Sequence, residues 1–220
     1  MRPAWLDRWL RRWERFLNKR LGLASRLLLL ASVLCIGASF FFPLWHIHLE
    51  APQYREGLDL WIHGHKLVAG NEGQDLTEIN TLNHYIGMRP VEEADFAEME
   101  IIPFALGFFI IFGLRTMVLG SMTNLIDHLV MFGYFTLFAL GSFLYRMYSY
   151  GHDLDSTAPI NPDPFWPALV GTKQIANMTQ TSLPGGGSYF LVGSLLAVLL
   201  ALVLSRRQPT FYELQAGERG

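Results

Sequence analysis

The sequence contains one cysteine in 220 residues, Cys35, set inside an apolar run. No intrachain disulfide can form, and a Cys-x-x-Cys metal or redox site and a c-type haem attachment are excluded. Buried free cysteine behaves as a small hydrophobe, so Cys35 reads as a packing residue. Charge is also scarce. Asp, Glu, Lys and Arg make up 16% of the chain, against roughly 25% in ordinary soluble domains. The net charge of −2 leaves no basic footprint for nucleic acid. No His-Glu-x-x-His, Ser-His-Asp or Cys-His pattern is legible. The glycines at 185–187 lack the preceding strand and the Gly-Lys-Ser/Thr of a phosphate loop.

What the chain has instead is apolar bulk, 51% hydrophobic and 14% aromatic. A spanning helix needs about 20 mostly apolar residues, because the bilayer core offers no water to its backbone. Four stretches qualify: 22–45, 101–119, 125–148 and 188–205. In the third, Asp127, His128 and Arg146 fall near the ends, where they reach headgroup level. No stretch carries the central charges that mark ion or proton paths. Gly107, Gly113, Gly133 and Gly141 permit close helix packing. The predicted fold is an all-α membrane protein: a four-transmembrane-helix bundle with an N-terminal amphipathic helix and a small mixed α/β periplasmic loop unit.

Residues 1–21 form the amphipathic element. Trp5, Leu6, Trp9, Leu10, Trp13, Phe16 and Leu17 recur at spacings of three and four, with arginines on the other face. Such a helix lies in the membrane interface or docks a partner through Trp5, Trp9 and Trp13. Lys and Arg concentrate before the first span, and Arg206 and Arg207 follow the last. The bias predicts that both termini, including the 206–220 tail, face the cytoplasm of a bacterial inner membrane. The first span ends in Phe-Phe-Phe-Pro-Leu-Trp rather than a small-residue cleavage site, so it reads as retained.

Two loops then face outward. In 46–100, Trp45 to Glu50 alternates as a strand does, and Leu58–Ile62 and Lys66–Ala69 read as two more. Asn71-Glu72-Gly73 reads as a turn. Ile79, Leu82, Tyr85 and Ile86 place one helix face over about 77–88. A second helix is predicted from about Val91 into the span, with Glu92, Glu93, Glu98 and Glu100 as a solvated acidic face. Loop 149–187, rich in Pro and Gly, is predicted to be irregular.

Six of the seven histidines fall in these loops. His46 and His48, and likewise His63 and His65, share a face if extended. His84 and Met88 share one if helical. Imidazole with thioether suits copper. Structural histidines and contacts to haem or quinone are the other readings of the same residues.

The strings Ala51-Pro52-Gln53-Tyr54, Glu56-Gly57-Leu58 and Ile79-Asn80-Thr81-Leu82-Asn83-His84-Tyr85-Ile86-Gly87-Met88 resemble a group of uncharacterised four-helix bacterial membrane proteins. The 165–177 stretch resembles that group's second outer loop, and Arg55 stands where the group has proline. The resemblance implies an association with respiratory, cytochrome or copper-enzyme systems, nitrous oxide reduction among them. It singles out Tyr54, Asn83, His84, Tyr85 and Met88, and leaves His63 and His65 outside its pattern. The functional expectation is a non-enzymatic accessory protein binding a membrane or periplasmic partner, or a metal. A structural subunit of a larger complex and a channel or permease component are the alternatives.

Overall fold

The computed structural model describes residues 3–211 and Glu213. Residues 1–2 of the predicted N-terminal element and most of the 206–220 tail lie outside the described residues. The chain divides into two compact units. One gathers residues up to Gly37, Gly107–Phe135 and the chain from Leu191; the other holds Ala38–Leu106 and Thr136–Phe190.

In the first unit, helix α1 (Ala4–Leu17) begins after Pro3, whose missing N–H costs nothing at a helix start. Its tryptophans Trp5, Trp9 and Trp13 are exposed, at 64, 52 and 43%. Trp9 and Trp13 meet edge to face with centroids 5.7 Å apart. Helix α2 (Leu23–Ser39) is apolar and 17 residues long. Serines at seven-residue spacing, Ser25, Ser32 and Ser39, are all buried. Ser25 meets Ser205, and Ser32 meets Ser194, each pair at 2.8 Å, which ties α2 to α6 (Gly186–Ser205). Hydroxyls paired between helices hold apolar segments where the hydrophobic effect gives no preference. Leu21, Leu29, Met122, Leu125, Val198 and Ala201 form the core beside them. At this end Leu21 N–H donates to Gly120 O at 2.8 Å, and Met122 N–H to Lys19 O at 3.0 Å.

Helices α4 (Ala97–Leu119), α5 (Met122–His152) and α6 are long and apolar enough to cross a membrane. The chain is a helical membrane protein, but it is not all-α. The second unit contains a five-stranded antiparallel sheet, in the order β3-β2-β1-β5-β4. Its strands are β1 (Trp45–Ala51), β2 (Tyr54–Ile62), β3 (Leu67–Ala69), β4 (Gly171–Ile175) and β5 (Met178–Pro184). The stretch read as a first span over 22–45 is helical only over Leu23–Ser39, shorter than the three helices able to cross. Pro43 has no N–H and disfavours a helical Phe42, and Trp45 already belongs to β1.

The expectation of an irregular 149–187 loop fails for its second half, which supplies β4 and β5. In β5 the buried residues are Met178, Gln180 and Ser182, so the inward face is mostly polar and the alternation is hidden from a hydropathy reading. Both polar groups are satisfied. Gln180 Oε1 accepts from the Ala168 N–H at 3.2 Å, and Ser182 Oγ accepts from Trp45 Nε1–H at 2.7 Å. The β4–β5 turn passes through Ala176 at φ 52°, without the glycine or asparagine that would announce it there.

Helix α3 (Gln74–Tyr85) covers the sheet through Ile79, Leu82 and Ile86, which pack with Leu49, Leu58 and Leu60. The helix expected from Val91 starts only at Ala97. Asn80 occupies Val91 as a strand neighbour would: its Oδ1 accepts the Val91 N–H at 2.7 Å, and its Nδ2–H donates to Val91 O at 3.2 Å. Glu98, read as part of a solvated acidic face, is largely buried. It takes Arg146 Nη2–H at 2.8 Å and Nε–H at 3.3 Å, and Ser142 Oγ–H at 3.0 Å. The Arg146 guanidinium also lies over the Phe96 ring at 4.7 Å. The two residues read as stray charges neutralise each other between α4 and α5.

Removing one partner of this pair leaves a buried charge alone. Arg146→Met is expected to destabilise by about 3 kcal/mol. The double variant with Glu98→Gln recovers most of that loss. Equilibrium unfolding in mixed micelles compares the two.

Candidate functional site

The string singled out at 79–88 is a helix terminus. Leu82, Asn83 and Ile86 are buried, whereas His84 and Tyr85 are exposed. After Tyr85 the chain turns through Gly87 at φ 78°. Met88 N–H donates to Asn83 O at 2.8 Å, and Gly87 N–H to His84 O at 3.2 Å. These are the two bonds of a Schellman cap, which requires a left-handed residue at the glycine. The 149–187 segment docks on this cap. Asp155 N–H donates to Gly87 O at 2.8 Å, and Ile160 N–H to Tyr85 O at 3.1 Å. Met88 packs against the buried core cluster while His84 faces out. The helical spacing that would have aligned them for copper is broken because the helix ends between them. Tyr54, the other residue of the resemblance, donates its hydroxyl to Glu78 and so pins β2 to α3. That bond, ahead of burial and the Glu78 charge, raises its pKa.

His46 and His48 do come together. Even-numbered residues of β1 face away from α3, opposite Asp59 and Trp61 of β2, with which they are in register. Asp59 Oδ1 lies 2.7 Å from His46 Nε2 and 2.8 Å from His48 Nδ1. An ionised carboxylate only accepts, so His46 carries its proton on Nε2 and His48 on Nδ1. Trp61 stacks on His46, rings 5.2 Å apart and 7° from parallel. Glu50 Oε1 stands 3.6 Å from His48 Nε2. The side chains of His46, His48 and Asp59 stay about a third exposed, at 33, 28 and 31%. Gly57, at φ 80°, lies under the His48 ring, where a Cβ would collide with it. Burial works to raise the Asp59 pKa, but the hydrogen bonds donated by His48 and His46, with their charges, outweigh it and hold the carboxyl below its ordinary value.

This arrangement explains why the pair is not a ready metal site. With both N–H groups on Asp59, one ring nitrogen of each histidine is already engaged by the carboxylate. Among the described residues, no three or more His, Cys, Asp or Glu side chains are placed to hold a metal ion.

His63 and His65 sit in the β2–β3 turn, ring centroids 5.9 Å apart. His65 stacks on Phe40 at 4.5 Å. Each has a buried Nδ1 with no hydrogen-bond partner among the described residues. Burial, then the Lys66 and His65 charges, push the His63 pKa down. His128, expected at headgroup level, is wholly buried near Phe109, Phe112 and Phe132, and neither ring nitrogen has a partner among the described residues. Its position six residues into a long apolar helix was the available signal.

Comparison with family models, with curated proteins and with solved structures found no match for the chain.

Two outcomes follow. A Cβ on Gly87 would stand 2.7 Å from Asp155 O, besides the positive φ. Gly87→Ala should therefore destabilise by more than about 1 kcal/mol and expose residues 153–160 to limited proteolysis. His84→Ala should do neither. Acid should act in two steps. His63 has a folded pKa below its ordinary 6.5, so its contribution is complete above 6.5 and is lost as pH falls below it. Asp59 has one below 3.8, so its contribution is lost as pH falls below 3.8. Thermal unfolding against pH should lose the upper step in His63→Gln and the lower in Asp59→Asn.

Proposed function

We propose that the chain is a non-enzymatic accessory protein of the bacterial inner membrane, serving a respiratory or metalloenzyme system. Its sheet unit presents the β1–β2 face around His46, His48, Asp59 and Trp61 to a protein partner on the periplasmic side. The observation that carries this reading is the His46–Asp59–His48 cluster under Trp61, a hydrogen-bonded polar group with an aromatic plate left partly exposed. Aromatic anchors beside fixed polar groups are what protein interfaces use for specificity. The respiratory or metalloenzyme setting rests on the resemblance of the 51–58 and 79–88 strings.

Four crossings with both termini cytoplasmic complete the proposal. Support for the fourth comes from connectivity. The chain before α2 bonds to the α4–α5 turn through Leu21 and Gly120, and the chain after α2 pairs with β5, which leads into α6. The basic N-terminal segment supports the orientation.

Photocrosslinking from residue 61 or 50 in native membranes tests the partner. One discrete adduct is expected, weakened by Asp59→Asn while the fold is retained. Absence of any adduct from either position rejects the docking face. A copper ion is the second reading, favoured because two imidazoles already meet one carboxylate oxygen; it requires Asp59 to swing away. Metal analysis of purified protein decides it: one equivalent of copper lost in His46→Ala supports the ion, and none in the wild type rejects it.

A further inference from the structure

No residue of helix α1 is buried. Leu6, Leu10 and Leu17 are half-buried, whereas Trp5, Trp9 and Trp13 stand exposed. Three indoles on one helix are a large apolar area to leave in water, and a contiguous patch of that kind marks a contact surface. At about 3.6 residues per turn the side chains sort into bands along α1. The tryptophans share one band with Phe16. Next to it run Arg8, Arg11, Arg12 and Arg15, all exposed. Asp7 and Glu14, seven residues apart, fall on the side away from Trp5 and Phe16. None of the ion pairs among the described residues involves an arginine of α1.

The anchorage of α1 fixes what it can meet. Helices α4 and α5 are each able to cross a membrane, so the turn at 120–121 between them marks a membrane boundary. The end of α1 is bonded to the start of α5 beside that turn. Thr123 Oγ1–H donates to Leu17 O at 3.1 Å, and Met122 N–H donates to Lys19 O at 3.0 Å. Arg20 N–H donates to Pro209 O at 3.2 Å, just past the end of α6, the third helix able to cross. Exposed Arg206 and Arg207 lie in that same stretch after α6. Helix α1 is therefore held at headgroup level. A bilayer surface sets an apolar layer directly beside a layer of phosphate, and a tryptophan band beside an arginine band matches that order. Indoles settle at the interface, and guanidinium groups pair bidentately with phosphate. We propose that α1 is a docking surface for anionic phospholipid. Trp5, Trp9 and Trp13 enter the boundary between acyl chains and headgroups, and Arg8, Arg11, Arg12 and Arg15 hold the lipid phosphates. A zwitterionic headgroup carries an ammonium beside its phosphate, which competes with the guanidinium, so net-anionic lipid is selected. An uncharged protein surface would cover the indoles but leave the arginine band without a counter-charge.

A 14-residue helix with no buried residue is marginal in water on its own, so its amide exchange reports whether lipid holds it. The test follows hydrogen exchange of α1 in the full-length protein, in nanodiscs of phosphatidylcholine and in discs with a third of that lipid replaced by phosphatidylglycerol. A basic residue near an anionic surface gains roughly fivefold in binding, so α1 exchange should slow by on the order of tenfold or more in the anionic discs. Salt at about 1 M cuts the Debye length to about 3 Å and should erase the difference. Arg8→Gln, Arg11→Gln and Arg12→Gln combined should erase it at low salt. All three positions are exposed, so the fold is kept, and unchanged exchange of α3 verifies that. Trp5→Ala with Trp9→Ala should speed α1 exchange in both kinds of disc. Equal exchange of wild-type α1 in the two discs overturns the proposal, as does lipid selectivity that survives in the triple arginine variant. Protection missing from both discs but present in native membranes assigns the face to a protein partner and overturns it too.

Discussion

Everything outside the apolar helices depends on β1 being paired on both edges. On one side it meets β2, its neighbour in sequence, from Trp45 against Ile62 to Ala51 against Tyr54. On the other it meets β5, Trp45 against Pro184 and Glu50 against Thr179. The second pairing turns two separate loops into one sheet and gives α3 a single surface to cover. The core of Leu49, Leu60, Ile79, Ile86, Ile175 and Met178 exists only because those loops meet. The Trp45 indole reinforces the same seam by donating to Ser182.

A division of chemistry between the two faces of the sheet follows. Odd-numbered β1 residues go to the core. Even-numbered ones carry histidine to a carboxylate and an aromatic ring. A one-residue slip of β1 would exchange these sets, putting His46 and His48 inside and Leu49 out. The register is therefore the condition for both the polar face and the apolar core. Proline at 43, the indole bond to Ser182 and the shift in register between Leu49 and Ala51 together fix it.

Much of this was readable from sequence where hydrophobic period and turn chemistry agree. The apolar helices, the strand from Trp45, the Asn71–Gly73 turn and the helix bearing Ile79 follow from such signals. The β4–β5 hairpin was not readable, because Gln180 and Ser182 face inward and Ala176 takes the turn conformation. Those choices are stable only through partners distant in sequence, Ala168 and Trp45. The Glu98–Arg146 pair was hidden for the same reason: each residue alone looks like a surface charge. At the candidate site, the shared face of His46 and His48 was legible from alternation, but Asp59 as their common acceptor was not. Conversely, the Asn83–Met88 string drew a chemical reading from its residue types, while its geometry is that of a helix stop. Only the glycine, with its obligatory positive φ, hinted at that.

The separation of the β1 and β5 partners also sets an order of events during synthesis. Trp45 and Ser182 are 137 residues apart, and ribosomes add roughly 5–20 residues per second, so the gap lasts on the order of ten seconds. During that time β1 and β2 stand as a hairpin with a free edge outside the membrane, while α4 and α5 are still being inserted. A free edge is a template for stray pairing. The hairpin meets this interval with histidines and acidic residues along its outward face, and the last strand closes the edge just before α6 enters the bilayer.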